Sequence, residues 1–445
     1  MAVLKFRTIK QNKILILGGY GGNNVGDDAQ LEGALIDLRA AIPCATLVVL
    51  TPNLEQTARR HGISNVGYAP RVSFFDFDED AARYTRFEKP QHKEWLLNRA
   101  DHVLREAASY SKGQPHKLSK KQLALVDEIR TARLIYYAGG GYMMGPTASR
   151  LWDAMLVCRL GDLFSTPVVM SGQNIGVWVS DYDRECARAG FPSVALIGTR
   201  DDTFSRRDLA EIGVTGSHIM ATHDDAFFVP ASSKNKVAGI LKDAGVGQSA
   251  FISLSLHLPR NDLEIVKAIR SVSDLPILIV PTCPPDVKTQ AALYDKAQAA
   301  GVENVHIVRK VHSHNAVKRI FASAVACVSS RHHPIIFSMA HAVPCISLNF
   351  TDYFNAKNFG AMDLCGVSEF SVDVSKGENV GAVVEDKLRD LLGRKEALAE
   401  TMRASRKGLK ESKRRFMRET VKVWKSTKPK RIVLARLLGV FTRPG

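Results

Sequence analysis

The chain has 445 residues, 45% of them hydrophobic, and its 61 lysine and arginine residues against 45 aspartate and glutamate residues give a formal net charge of +16. This length exceeds what one ordinary core fills, and this hydrophobic fraction excludes a disordered chain, so two folded domains are expected. The positive charge favours anionic partners, which are phosphorylated metabolites, acidic lipid headgroups or nucleic acid.

Strand and helix patterns alternate up to about residue 235. The apolar run 13–19 ends in glycines and predicts a buried parallel strand, and 27–41 has the apolar spacing of a helix. Further strands are predicted at 45–52, 134–141, 166–173 and 194–200. Residues 74–128 interrupt this series with a charged helical pattern, and two interpretations stay open: a lid or acceptor-binding element, or a solvated helical hairpin.

A second alternating series covers residues 236–385, after a polar stretch at 232–249 that is predicted to hold the linker. Its strands are predicted at 250–257, 276–282, 305–310, 324–330 and 343–350. We therefore predict an α/β protein with two doubly wound, Rossmann-like domains, 1–235 and 236–385, facing a cleft. A ligand bound there would contact the C-terminal ends of strands from both domains.

Residues 386–445 fall outside both domains. Apolar residues at helical spacing predict a terminal helix docked on the globule, and they are Leu398, Met402, Leu409, Phe416, Thr420 and Trp424. The stretch 428–443 is basic and amphipathic. It either lies on an anionic membrane surface or is a frayed tail, and the sequence leaves both open.

The seven cysteines are dispersed, and most lie in apolar runs such as 324–328. An odd, scattered set favours reduced core thiols over a disulfide framework. The segment 1–13 lacks the apolar core of a signal peptide, and no stretch approaches the roughly 20 apolar residues that span a bilayer. These features predict a cytoplasmic protein.

The glycine-rich segment GGYGGNNVGDDAQL, residues 18–31, connects the first strand to the first helix. Asn24 stands where a dinucleotide fingerprint needs its third glycine, and the P-loop lysine is absent, so NAD and ATP are disfavoured. Asp27 and Asp28 join Asn24 in a polar cluster at this corner. The structural alternative is that one aspartate caps the helix.

Two more glycine loops follow predicted strands. AGGGYMMG (138–145) contains Gly140, and SGQNIG (171–176) contains Gln173, and together with the first loop they are expected to build one wall of the cleft. Arg200 follows another strand. It either forms an ion pair or helix cap there, or points into the cleft.

The segment 328–357 gathers Ser330, Arg331, His332 and His333 directly after a strand, and Lys357 follows the next one. Adjacent histidines point different ways, so a metal site is disfavoured. Pro334 suits the first turn of a helix, which places these residues at a helix N-terminus, a position that binds anions. The Arg331 guanidinium matches a carboxylate or phosphate with two hydrogen bonds, and a neighbouring histidine can donate a proton near neutral pH.

Six motifs occur in order between residues 13 and 366: GGNNVGDDA, AGGGYM, SGQNIGV, TRDDTFS, SSRHHPIIFSMAHAVP and NAKNFG. Together they resemble the polysaccharide pyruvyl transferase family, whose pattern combines GNxGD, GGG, GQxxG, RDxxS and SxRxH elements with a lysine in a phenylalanine-rich segment. The resemblance implies a two-domain fold of the GT-B glycosyltransferase type.

It also implies transfer of an enolpyruvyl unit from phosphoenolpyruvate to two hydroxyls of a sugar, as a pyruvate ketal. By this resemblance Arg331, Lys357 and Arg200 bind the anionic donor, and His333 is the acid or a phosphate ligand. The resemblance does not distinguish His332 from His333 in these roles. Asp27 or Asp28 would orient or deprotonate an acceptor hydroxyl. No metal or cofactor is needed besides phosphoenolpyruvate as co-substrate. The acceptor would be a cell-surface polysaccharide precursor, which a membrane lipid often carries.

Two other functions stay open. One is a GT-B glycosyltransferase that uses a nucleotide sugar, and the other is a basic, non-catalytic binding protein. Nucleic acid is disfavoured as a partner because no base-stacking motif appears and aromatic residues are only 7% of the chain. The sequence carries no signal for an oligomeric state.

Overall fold

Strands and helices alternate through the computed structural model, which describes residues 5–61, 66–70, 74, 90–257, 260–377 and 379–436. The strands are β1 (Lys5–Gln11), β2 (Lys13–Leu17), β3 (Thr46–Thr51), β4 (Val66–Pro70), β5 (Leu134–Tyr137), β6 (Gly140–Met144), β7 (Val168–Gly176), β8 (Val194–Thr199), β9 (Ile219–Ala221), β10 (Ile252–Ser255), β11 (Ile277–Ile279), β12 (Val305–Ile307), β13 (Ala326–Ser329), β14 (Cys345–Asn349), β15 (Ser371–Asp373) and β16 (Lys430–Arg436). The helices are α1 (Val25–Ala41), α2 (Leu54–His61), α3 (Pro90–Ser111), α4 (Lys120–Thr131), α5 (Ala148–Leu163), α6 (Asp181–Gly190), α7 (Phe204–Glu211), α8 (Lys234–Asp243), α9 (Asp262–Val272), α10 (Pro284–Ala299), α11 (His314–Ala322), α12 (His332–Met339), α13 (Asp352–Asp363), α14 (Val380–Gly393) and α15 (Lys395–Ser426).

The first domain is built on a parallel sheet with strand order β4-β3-β2-β5-β7-β8-β9, and β6 pairs with the far end of β7. Successive residues of a strand face opposite sides of a sheet, so Ile14 and Ile16 enter one core while Leu15 and Leu17 enter the other. Helices α3 to α6 cover the second of these faces, and α1 and α15 cover the first. Both faces are therefore buried, as parallel sheets require.

The second domain has a six-stranded parallel sheet with order β12-β11-β10-β13-β14-β15. Its core also takes in Val25 and Ala29, which lie on α1 of the first domain. Every strand predicted from the sequence is present in one of the two sheets. The prediction of two doubly wound sheets is confirmed, and the C-terminal ends of β2, β5, β10 and β13 lie at the domain junction.

Two sequence interpretations need correction. The stretch 232–249, which is predicted to hold the linker, consists largely of α8, whose Val237 and Leu241 are in the second core. Helices α3 and α4 are not a solvated hairpin, because side chains such as Val103 and Val126 are fully buried in the first domain. Residues 75–89, between β4 and α3, lie outside the described part of the chain.

The C-terminal segment is ordered in two parts. Helix α15 buries the predicted apolar stripe, which confirms a docked terminal helix. Residues 430–436 are not a frayed tail, because β16 pairs antiparallel with β1 along its whole length. The rest of the basic stretch, 437–445, lies outside the described residues. Within the described residues, no helix combines the length and apolar character needed to cross a membrane.

Candidate functional site

The chain crosses between the domains directly after β9, and Asp224 is the residue at the crossing. Its carboxylate is fully buried and caps the 3-10 helix Asp225–Phe227 by accepting from the Ala226 amide at 2.8 Å. Gln30 Nε2 donates to it at 3.0 Å, and Arg200 Nε lies 3.0 Å from the same oxygen. Although burial opposes ionisation, Arg200 and the two histidines of α12 hold the pKa of Asp224 well below its usual value.

Arg200 lies beneath the cleft and does not line it. Its side chain is fully buried, where it pairs with Asp224 and donates to the Gly172 carbonyl at 2.8 Å. A further contact of 3.3 Å joins it to the Asn174 side chain. Of the two open interpretations, the structure therefore gives the ion pair. The third glycine loop serves to hold this arginine in place.

Helix α12 begins as the sequence predicts, with Pro334 in its first turn. Arg331 is the N-cap residue, and the Ser329 hydroxyl accepts from its backbone N–H at 2.9 Å. His332 and His333 are the first two helical residues, so both rings sit at the positive end of the helix dipole. The helix N-terminus therefore lies at the residues where the sequence predicts it.

The two rings make different contacts. His332 Nδ1 lies 2.7 Å from the Asn358 side-chain oxygen, and its Nε2 lies 3.4 Å from Asp224. His333 Nε2 lies 3.0 Å from Gln30 Nε2, which places the hydrogen of a neutral ring on Nδ1. Burial lowers the pKa of His332 to about 3 and that of His333 well below its usual value. Burial therefore favours the neutral form of both imidazoles in the unliganded protein.

The first glycine loop brings α1 against His333. A side chain on Gly26 would overlap the His333 ring, so only glycine fits there. The N-cap of α1 is Asn24, whose side-chain oxygen accepts from the Gly26 amide at 3.0 Å. The expectation that Asp27 or Asp28 caps this helix is wrong, because the helix starts at Val25, before both.

Asp27 and Asp28 point in different directions. Asp28 is buried and forms an ion pair with Arg60 of α2, away from the cleft. Asp27 faces the cleft, where Gly19 lies close to both its carboxylate and the Arg150 guanidinium. Burial raises the pKa of Asp27, although Arg150, Lys357 and Arg200 act in the opposite direction.

A cavity of about 190 Å³ lies between the domains at this edge of the two sheets. Its lining combines both domains and consists of Asn24, Asp27, Gly141, Tyr142, Arg150, Thr282, Arg331, His332, His333, Tyr353, Phe354 and Lys357. Three cations and one carboxylate are among these side chains, and the lining is mainly polar. The cavity therefore suits a small anionic ligand.

The cations are held from different elements. Arg331 pairs with Asp286 at the start of α10, while its buried Nε has no hydrogen-bond partner among the described residues. Lys357 on α13 lies 3.4 Å from the Tyr353 hydroxyl, which in turn donates to the Gly141 carbonyl at 3.0 Å. Lys357 and Arg331 thus line the same cavity from different helices.

Three predicted residues lie near the cavity without lining it. Ser330 accepts at its hydroxyl from the His257 amide at 3.0 Å. Gly140 lies one residue before the lining Gly141 and packs against the Tyr142 ring. Gln173 is buried and donates to the Ala138 and Ser171 carbonyls at 2.7 and 2.9 Å. Gly140 and Gln173 therefore shape the glycine loops, Ser330 supports the segment after β10, and none of the three lines the cavity.

Asp225 explains why glycines follow two of the strands. Its carboxylate accepts from the Gly139 amide at 2.7 Å, and a side chain on Gly139 would lie 3.1 Å from it. Lys413 of α15 reaches this carboxylate through the core and also donates to Ser171 at 2.7 Å. Asp37 completes the buried cluster, 3.3 Å from the Lys413 ammonium.

Sequence reasoning missed Gly26, Arg150 and Lys413 as parts of this region, and it places Asp224 after a strand end without giving it a role. Lys413 did carry a signal: it occupies a position on the apolar stripe of α15, between Leu409 and Phe416. A lysine in such a stripe has to find a buried acidic partner. Among the described residues, no group of three or more His, Cys, Asp or Glu residues is arranged to hold a metal ion.

Two parallel α/β sheets with a polar site at their junction are the arrangement of the GT-B fold. The chain has a TM-score of 0.57 to UDP-GlcNAc 2-epimerase from Neisseria meningitidis bound to UDP-GlcNAc, at 12% identity, covering 92% of this chain and 100% of that one. It has a TM-score of 0.54 to Anabaena HepE in complex with UDP, at 12% identity, covering 92% and 99%. These likenesses concern the fold.

A comparison of the amino-acid sequence with protein-family models identifies the family. The family model described as polysaccharide pyruvyl transferase matches residues 24–352, which is more than half of the chain. The chain belongs to the polysaccharide pyruvyl transferase family, and it is a transferase. Among curated proteins, none matches it.

Proposed function

We propose that the protein transfers an enolpyruvyl unit from phosphoenolpyruvate to two hydroxyls of a sugar, which closes a pyruvate ketal. The observation that carries this proposal is the cavity in which Arg331, Lys357 and Arg150 surround the N-terminus of α12. Phosphoenolpyruvate carries a carboxylate and a phosphate, and fixed cations at a helix N-terminus match both groups. The membership of the family supports the same donor.

The donor is held by the cations in this proposal. Arg331 offers its free Nε and part of its guanidinium fork, oriented by Asp286, to one anionic group. Lys357 and Arg150 neutralise the other. Arg200 takes no direct part, because it is buried against Asp224, and it acts by fixing the charge beneath the two histidines. Positioned charge of this kind stabilises a transition state without reorganisation.

His333 is the proposed acid. It protonates carbon 3 of the donor while an acceptor hydroxyl bonds to carbon 2 and releases its proton to Asp27. The bond from carbon 2 to the phosphate oxygen then breaks, and the phosphate leaves with the proton from Asp27. A second hydroxyl bonds to carbon 2 and returns its proton to His333. The sum is one donor and one diol giving one ketal and one inorganic phosphate.

Asp27, rather than Asp28, has this role because Asp28 is engaged by Arg60 outside the cavity. A carboxyl whose pKa is raised by burial is a better proton acceptor than an ordinary aspartate. The acceptor class is a polysaccharide or a lipid-linked sugar precursor, at the inner face of the plasma membrane.

The donor is tested by thermal unfolding of the protein with phosphoenolpyruvate, UDP or GDP-mannose. A ligand that binds the native state raises the midpoint by mass action. We expect a shift with phosphoenolpyruvate alone. A shift with a nucleotide and none with phosphoenolpyruvate would replace this proposal with glycosyl transfer from a nucleotide sugar.

Donor binding is expected to take up a proton. Burial holds the pKa of His333 below its usual value in the free protein, and a bound dianion favours the charged ring, so its pKa rises on binding. Affinity should therefore strengthen as the pH falls from 8 toward 6, by up to about tenfold per pH unit for one proton.

Calorimetry in two buffers of different ionisation enthalpy measures this uptake. His333→Gln keeps a hydrogen-bond donor but cannot gain the proton, so its binding should show less uptake. Protons that the donor phosphate itself binds or releases are the same for both proteins. The difference in proton uptake between wild type and variant therefore reports on His333. Equal uptake in both proteins would exclude His333 as the proton acceptor.

Gly26→Ala should reduce the rate of pyruvyl transfer while the protein still folds. The added methyl group must displace the His333 ring, and overpacking of this kind costs about 1–3 kcal/mol. We expect kcat to fall by more than tenfold, the usual scale for a misplaced acid. Gly22→Ala is the matched control from the same loop, because a side chain there meets nothing within 4 Å. Similar kcat values for the two variants would contradict the predicted role of His333.

A further inference from the structure

Helix α15 carries an exposed cationic ridge that the proposed reaction does not use. Its members recur every three or four residues, which places them on one face of the helix. They are Arg403, Lys407, Lys410, Arg414, Arg418, Lys422 and Lys425, and all are exposed. At 1.5 Å per residue the ridge is about 33 Å long.

The ridge extends across both domains. The opposite face of α15 packs Met402 and Leu409 into the core of the second domain, and Phe416 and Trp424 into that of the first. The long axis of the ridge is thereby fixed relative to both sheets. A straight, rigid row of cations matches an extended anionic surface better than a single small anion.

Ion pairs within the helix leave most of this charge in place. Glu411 approaches Arg414 and Arg418, and Glu419 approaches Lys422. The side chains of these three cations are nevertheless 60–72% exposed. Exposed pairs of this type are weak and exchange readily for another anion.

A groove beside the ridge has a mainly apolar floor. It has a volume of about 590 Å³, lies between α15 and the C-terminal part of α1, and is lined by Ala40, Ala41, Met417 and Val421 together with the Asp37–Lys413 ion pair. Arg414, Arg418, Lys422 and Lys425 rim it. An apolar floor with a cationic rim is complementary to an anionic headgroup followed by a hydrocarbon chain. A purely hydrophilic polyanion has no apolar group to bury against this floor.

We propose that this face of α15 docks the protein on an anionic lipid bilayer, with the ridge on the headgroups and the groove receiving acyl chain segments. The site is distinct from the 428–443 stretch, part of which is engaged in β16. It also differs from the cleft, since α1 reaches the groove at its C-terminal end and the cavity at its N-terminal end. The proposal does not depend on the reaction in the cleft.

Cosedimentation with vesicles tests it on the full chain. The probes are phosphatidylcholine vesicles with and without phosphatidylglycerol. The ridge variant changes Arg414, Arg418, Lys422 and Lys425 to Gln, and the control variant changes the equally exposed Lys234, Lys236, Lys242 and Lys288 to Gln, so both lose the same charge. Wild type should bind only the anionic vesicles.

We expect the ridge variant to bind anionic vesicles at least about a hundredfold more weakly and the control to bind within a few-fold of wild type, because each cation at the surface of an anionic membrane contributes separately. If both variants lose the same affinity for anionic vesicles, binding depends on the net charge of the protein and not on the ridge, and the proposal is overturned. Unchanged melting temperature and unchanged phosphoenolpyruvate shift in the ridge variant separate this test from that of the reaction.

Val421→Ser tests the groove. It makes the floor polar without changing charge, so vesicle binding should weaken while retention on duplex DNA stays the same. Two results together would contradict the proposal: vesicle binding that Val421→Ser does not alter, and wild-type binding to DNA as tight as to vesicles. This face of α15 would then be a general polyanion-binding surface and not a bilayer-docking site.

Discussion

Arg331→Ala is expected to lower kcat/KM for phosphoenolpyruvate by about a thousandfold. The substitution removes charge-assisted hydrogen bonds to the donor, each worth about 1.5–3 kcal/mol, from a site at a helix N-terminus. The fold should persist at reduced stability, because buried Asp286 loses its cation but still accepts from the backbone and hydroxyl of Thr282, both near 3 Å. Steady-state kinetics and the donor-induced thermal shift measure the two effects.

Arg331→Lys provides the control for charge. A lysine restores the positive charge without the planar fork, so we expect a value between those of wild type and Arg331→Ala. If the donor needs only charge, the lysine variant will match wild type. A wild-type KM and kcat in Arg331→Ala would mean that the anion binds elsewhere and that the proposed donor site is incorrect.

Lys413→Met should destabilise the protein by about 3–5 kcal/mol, the cost of leaving a buried carboxylate without its cation. Lys413 is 6% exposed and contacts Asp225, while Asp37 lies 3.3 Å from its ammonium. Methionine keeps a similar length, so the loss of packing is small. Urea unfolding measures the free energy of unfolding for the variant and wild type.

Adding Asp225→Asn to Lys413→Met separates charge from packing. The amide oxygen can still accept from Gly139, and the unpaired charge is gone, so much of the lost stability should return. No recovery in the double variant would assign the loss to packing instead. Because Asp225 adjoins Asp224, we also expect Lys413→Met to lower kcat under conditions where it is fully folded.

The fold was predictable where local patterns were strong. Central strands such as β2 and β13 are buried on both faces, so they appear as continuous apolar runs in the sequence. β15 has no such run, because its residues Ser371–Asp373 are only partly buried and two of the three are polar. β1 and β16 pair from opposite ends of the chain, and such a pairing has no local signal.

The residues of the site were likewise predictable where a local pattern marks them and not where long-range contacts define them. Arg331, His333 and Lys357 were identifiable because motif order and a proline in a first helical turn placed them at one strand edge. The sequence places Asp224 after a strand end but does not reveal its role, because that role comes from contacts with Gln30 and Arg200, which lie far from it in sequence. Arg200 follows a strand end as predicted, but its direction depends on an acidic partner that only the folded chain supplies.

Helix α15 has a consequence for the order in which the protein can be made. Phe416, Met417 and Trp424 close one face of the first sheet, whose strands are all synthesised before residue 222. During translation that face stays open until the second domain and α15 have emerged, so the N-terminal domain cannot complete its core early. Its apolar strands then need protection from aggregation throughout synthesis. A nascent chain arrested before residue 395 should bind chaperones more strongly than one extended past residue 426.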